Sequence, residues 1–94
     1  MNWRLLPRAV RDLAEIESFI RRDDPAAAAS VASRLAKSFE LLSRKPDIGR
    51  PLPRTGVREW SVPGLPYIIP YRTGPAGIEI LRVWHTRRKA PEFW

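Results

Sequence analysis

The chain has 94 residues with one histidine and no cysteine, and 17 Lys and Arg against 10 Asp and Glu give a formal net charge of +7. A chain of this length holds one core, domains running from about 50 to 250 residues, so residues 1–94 read as a single domain; without cysteine there is neither a disulfide framework nor a thiolate metal site, and no carboxylates stand at ligand spacing, so neither metal nor cofactor is expected. No apolar run approaches the roughly 18 residues of a membrane span and the N-terminus lacks an apolar signal core, which makes a cytoplasmic protein the expectation.

Residues 1–6 (MNWRLL) alternate imperfectly and stop at Pro7, a short first strand closed by a proline whose fixed φ suits the first helical position. Over residues 8–22, Val10, Leu13, Ile16 and Ile20 recur at spacings of three and four, with Arg8/Asp12 and Arg11/Glu15 four apart on the other face, the pattern of an amphipathic helix. Asp24 then offers a capping carboxylate ahead of Pro25, and a second helix carries Val31, Leu35, Phe39 and Leu42 on one stripe before Lys45-Pro46 ends it. With so short a connection the two helices form an antiparallel hairpin whose joint apolar face needs a sheet to cover it.

Residues 47–56 (DIGRPLPRTG) read as a basic surface loop. Three β-rich runs follow at 57–62, 67–72 and 78–85, separated by Pro63-Gly64 and by residues 74–77 (GPAG), which makes an antiparallel meander. Pro70 inside the middle run cannot donate to a ladder, so a bulge or bend is expected there. The order β-α-α-β-β-β predicts an α+β fold, a helical hairpin packed on a twisted, mainly antiparallel sheet of four strands.

The chemistry open to such a chain is narrow. A Ser-His-Asp arrangement would have His85 as its one base, and no serine sits in a strand-to-helix elbow; the glycines of residues 74–77 lie between strands and not ahead of a phosphate-binding helix. Metal-free cleavage of RNA needs a base, an acid and cations for the phosphorane, for which Arg72, Arg82 and His85 are the candidates. In an unbroken last strand Arg82 would share a face with Ile78, Ile80 and Trp84, and His85 would share the other with Glu79, Leu81 and Val83, which separates cation from base. Glu79 would stand about 20 Å along the strand from His85, which leaves a cross-strand group such as Glu59 as the possible partner. Trp60, Tyr67, Tyr71 and Trp84 fit sheet packing, whereas Phe93 and Trp94 beyond Pro91 either fold back or stay exposed beside Arg87, Arg88 and Lys89 as interface anchors. Arginine outnumbers lysine 14 to 3, and the summed field favours acidic partners.

Taken together, the opening strand with PRAVRDLAEIESFI, the second helix closing in LLSRKPDIGRPLP, REWSVPGLPYIIPYR and GIEILRVWHTRR resemble the RelE/ParE toxin superfamily of bacterial type II toxin-antitoxin systems over nearly the whole chain. GLPYIIPYR and ILRVWHTRR are most similar to the ParE branch. That resemblance implies a growth-inhibiting toxin that poisons DNA gyrase by binding rather than by bond cleavage, neutralised in a hetero-oligomer by an acidic ParD-like antitoxin. It implies antitoxin contact on the groove of the hairpin, at Ile16, Ile20, Leu35, Phe39 and Leu42; target contact is expected on the tail, at Trp84, His85, Arg87, Arg88, Phe93 and Trp94, because that segment combines cations with aromatics. The alternative branch is the RelE-like endoribonuclease that cleaves messenger RNA on the ribosome, for which Arg72, Arg82 and His85 would be the working residues, although the tail has no tyrosine after Tyr71. One departure concerns the first helix, where Leu6 stands in place of the hydroxyl cap that members often carry.

Overall fold

A computed structural model describes residues 2–94, so that Met1 of the expected first strand lies outside the described residues. The elements run β1 (Asn2–Leu5), α1 (Pro7–Arg21), α2 (Pro25–Arg44), β2 (Arg50–Pro51), β3 (Val57–Ser61), β4 (Tyr67–Gly74), β5 (Gly77–Ile80) and β6 (Trp84–His85). The strands are ordered β1-β5-β4-β3-β2, with β6 also paired to β4. The β1–β5 pair is parallel and the other pairs are antiparallel. The α+β architecture expected from the sequence is therefore present. It carries two more strand segments than the four expected: β2 arises inside the stretch read as loop, and the last strand is divided in two.

The helices obey their caps. The Asp24 carboxylate accepts from the Ala27 N–H at 3.0 Å ahead of Pro25, and Leu35, Phe39 and Leu42 of α2 are buried with Val31 packed beside them. At the start of α1, Leu6 supplies no side-chain cap, as its aliphatic chain dictates; its own N–H donates to the Ile80 carbonyl at 2.9 Å, so the helix entry is tied to β5 instead. The inward face of α1 keeps Leu13 and Ile16 of the expected stripe but not Val10. Val10 is 52% exposed, and Ala9 and Asp12 are buried with Leu13 and Ile16 packed on the core. The rotation has a cause. The Asp12 carboxylate, expected to face Arg8, turns inward and accepts from Arg82 Nε at 2.8 Å, Arg82 Nη2 at 3.0 Å and the Val83 N–H at 3.0 Å.

The division of the last strand is a β-bulge. Ile80 pairs with Tyr71 and Trp84 with Ile68, so Leu81, Arg82 and Val83 stand opposite only Ile69 and Pro70. The Pro70 carbonyl accepts from the Leu81 N–H at 2.9 Å, and the missing proline N–H falls on that same bulged side, where the ladder needs no donor. The bend expected at Pro70 is there, with the extra residue supplied by the facing strand. One inserted residue inverts the alternation: Val83 joins Ile78 and Ile80 in the core cluster, and Trp84 turns away from it. The face assignment read for an unbroken strand is corrected accordingly.

The core cluster unites Ala9, Leu35, Phe39 and Leu42 of the helices with Val62, Tyr67, Ile69, Tyr71, Ile78, Ile80 and Val83 of the sheet side. Tyr71, 1% exposed, spends its hydroxyl on the loop: it donates to the Pro46 carbonyl at 2.7 Å and accepts from the Gly49 N–H at 2.9 Å. A Cβ at Gly49 would lie 2.5 Å from that hydroxyl, which is why the loop carries glycine at this point. Among the described residues no helix is long and apolar enough to cross a membrane.

Candidate functional site

Two surfaces emerge from this frame, one on the helical hairpin and one at the far end of the sheet. The first is an apolar groove of about 190 Å³ between α1, α2 and edge strand β1. Leu13 and Ile16 form one wall and Trp3 and Leu5 another, while Val31, Leu35 and Phe39 of α2 line it together with Ala28, Ala32 and Ala36. The alanines recur every four residues and keep that wall low, because a methyl group leaves the space a longer side chain would fill. The Trp3 ring is anchored 5.1 Å from Phe39 and its Nε1 donates to Glu40 at 2.7 Å. Of the five groove residues named from the sequence, Ile16, Leu35 and Phe39 line it. Ile20 is half-buried outside it. Leu42 is 0% exposed within the core and offers no surface to a partner, a correction that follows from its place near the end of α2, over the sheet.

The second surface is cationic, and its arginines are mostly engaged. Glu79 receives Arg4 at 2.6 Å and Arg72 at 2.7 Å from the strands on either side of β5. The Arg4 hydrogen bond, and after it that of Arg72, hold the Glu79 carboxyl below the usual carboxylate range. Arg82 is held fully charged by its hydrogen bonds to Asp12, which raise its pKa. His85 accepts the Arg87 N–H on Nδ1 at 3.0 Å, which leaves Nε2 to carry the proton in the neutral ring, and it meets the Tyr67 ring edge-on at 5.5 Å. Burial pushes the Tyr67 phenol up, so it stays protonated. Arg72 stands apart in the Glu79 cluster, whereas Arg82 is bound to Asp12, and Asp12 itself lines the hollow of His85 together with Phe19, Glu15 and Arg88; Arg82 therefore borders that hollow only through Asp12 and makes no hydrogen bond to His85 among the described residues. Glu59, the cross-strand carboxylate considered for His85, is taken by Arg50 of β2 and by Trp94.

The tail combines both outcomes foreseen for its aromatics. Trp94 folds back, its Nε1 donating to Glu59 at 2.8 Å and its ring meeting Trp84 edge-on at 5.4 Å. Trp84 is only 6% exposed; Arg88 lies 4.0 Å and Arg82 4.9 Å over its ring, and its Nε1 donates to the Arg88 carbonyl at 3.1 Å. Phe93 is 79% exposed, and Arg87, Arg88 and Lys89 of the same tail are exposed as well. Of the six tail residues, then, Trp84 is a support, Arg88 and Trp94 brace it, and Arg87, Phe93 and half-buried His85 face outward. Sequence reasoning passed over Asp12 as a functional anchor. The signal was there, since Asp12 lies three residues from Ala9 and four from Ile16, on the stripe that faces inward.

The sequence model for the ParE toxin of type II toxin-antitoxin system, parDE, matches residues 4–90. The chain belongs to the ParE toxin family. A candidate toxin of Sinorhizobium fredii (strain NBRC 101917 / NGR234), Y4kP, is 40% identical over 92 residues, which cover 98% of this chain and 93% of that protein. The fold is also that of a solved chain from the chromosomal ParDE system of P. aeruginosa, with a TM-score of 0.80 over 93% of this chain and 97% of the other at 23% identity. As a ParE-type toxin the protein has a fold in which both the hairpin groove and the tail are built on rigid elements, the groove on two capped or anchored helices and the tail on the Trp84 cluster.

Proposed function

We propose that this ParE-type toxin acts in the cytoplasm by binding DNA gyrase through its tail, and that a ParD-like antitoxin neutralises it by occupying the hairpin groove. The observation that favours binding over bond cleavage is the engagement of the cations: Arg72 and Arg82 are both spent on carboxylates, 2.7 and 2.8 Å away, and neither is joined to His85. A cleavage site needs its base, acid and cations around one reacting phosphate. The tail offers what a binding surface needs instead, an exposed aromatic with exposed cations on a rigid support. Replacing Phe93 and Arg87 by alanine together is expected to abolish growth arrest in a protein that still folds and still binds antitoxin; arrest at the original level would contradict the assignment.

The groove fits an amphipathic helix, with the alanines of α2 allowing close approach and the +7 charge accelerating encounter with an acidic partner. Ala32 lines the groove and is solvent-exposed, so Ala32→Glu leaves folding intact while setting an unpaired charge against the partner's apolar face. Co-purification with the antitoxin encoded beside it is expected to fall at least about tenfold, desolvated unpaired charges costing several kcal/mol. The RelE-like reading, ribosome-dependent cleavage of messenger RNA, rests on Arg72, whose side chain stays 49% exposed on the sheet despite its ion pair. Arg72→Ala that leaves toxicity unchanged argues against it.

A further inference from the structure

We propose that the cavity where the first turn of α1 meets the sheet binds a nucleotide, either free or as one residue of a nucleic-acid strand. The cavity offers about 420 Å³, within the range of small-molecule sites. Its apolar wall comes from Leu6, Pro7, Val57 and Leu81, and the Trp94 indole completes it. Its polar wall is Arg8, which supplies the free cation, and Arg72, whose Nε is held by Glu79. Apolar sides with an aromatic ring suit a base, since every base has a π-face to lay on an indole, and guanidinium forks match phosphate oxygens bidentately.

The electrostatics point the same way. The carboxylates nearest this corner are already paired, Glu79 with Arg4 and Arg72 and Glu59 with Arg50, which leaves Arg8 as the lining cation with no carboxylate partner among the described residues. Arg8 is exposed and makes no ion pair among the described residues. The first turn of α1 holds no acidic residue and its N-cap no side-chain acceptor, so nothing there offsets the helix's positive end. Trp94 is held at the cavity by its Glu59 hydrogen bond and by its contact with Trp84, which fixes the indole as one wall for a base. The site is separate from the hairpin groove and is independent of whether gyrase is the target.

The test titrates the purified full chain with AMP, adenosine, inorganic phosphate and a five-residue deoxyadenosine strand, following the Trp94 indole N–H by NMR and affinity by calorimetry. AMP is expected to bind more tightly than adenosine or phosphate and to shift the Trp94 signal, with Arg8→Gln and Trp94→Ala each weakening it about tenfold. Tighter binding of the strand than of AMP, with the same loss in both variants, assigns the site to nucleic acid; the reverse assigns it to the free nucleotide. Arg8 is exposed and unpaired among the described residues, so its variant keeps the fold and isolates the cavity. Absence of both AMP and strand binding at millimolar concentration overturns the proposal. So does binding that neither variant weakens, or phosphate binding as tight as AMP.

Discussion

Asp12 does more in this molecule than any other charged residue. Its side chain is 6% exposed, it takes both a guanidinium fork and a backbone N–H from the bulge, and it thereby fixes how α1 is rotated on the sheet. Removing one partner of a buried pair strands the other. Asp12→Ala is expected to cost about 3–5 kcal/mol in denaturant unfolding, whereas Glu17→Ala, which breaks the exposed Arg21 pair, should cost under about 1 kcal/mol. Equal losses would show that the Arg82 pair carries no special weight. Glu79 makes a different prediction, in pH. Its folded pKa lies below its unfolded value, so its contribution is complete above the ordinary carboxylate pKa of about 4.3 and fades as pH falls through that value toward the lower folded one. In Glu79→Gln the loss of stability between pH 5 and pH 3, both taken as approximate bounds around that range, should therefore be shallower than in the parent; an unchanged slope would deny the Arg4 and Arg72 hydrogen bonds that role.

At the level of elements, capping and periodicity made both helices and their hairpin readable, because Pro7, Asp24 and Pro25 act locally and the α2 stripe is long. What escaped were features decided by neighbours. The rotation of α1 depends on a contact 70 residues away in sequence, between Asp12 and Arg82. The bulge at Leu81–Val83 inverts the alternation of the last strand, and while Pro70 announced an irregularity, it did not say which strand would carry the extra residue. The β2 strand pairs only two residues with β3, too short for any pattern to mark it. The groove lining was readable at Ile16, Leu35 and Phe39 and not at Ile20, which lies outside it, or at Leu42, whose position on the same stripe carries it into the core over the sheet. Between β5 and β1 the packing tolerates no side chain at Gly77: its φ is 134° and a Cβ would collide with the Asn2 carbonyl. Gly77→Ala is expected to detach β1, seen as rapid hydrogen exchange at residues 2–5 with β3–β4 protection retained; unaltered exchange at β1 would contradict the steric argument.

Over the whole molecule, the proposed function gives the groove to the antitoxin and the tail to the target. The groove lies against the β1 edge of the sheet, and the tail lies over Trp84 on β6. A partner in the groove can therefore act on the tail's target by bulk or by charge without covering Phe93. We propose that the protein works by gripping gyrase and not by cutting RNA. The most direct test is to titrate the purified toxin into gyrase with supercoiled plasmid and ATP, then to release protein-linked breaks with detergent and protease. Linear DNA that rises with toxin dose, disappears when antitoxin is added first, and is lost in the Phe93/Arg87 double variant is the expected result. Undiminished supercoiling with no linear product at any dose would contradict it, and would return Arg72, Arg82 and His85 to the centre of the question.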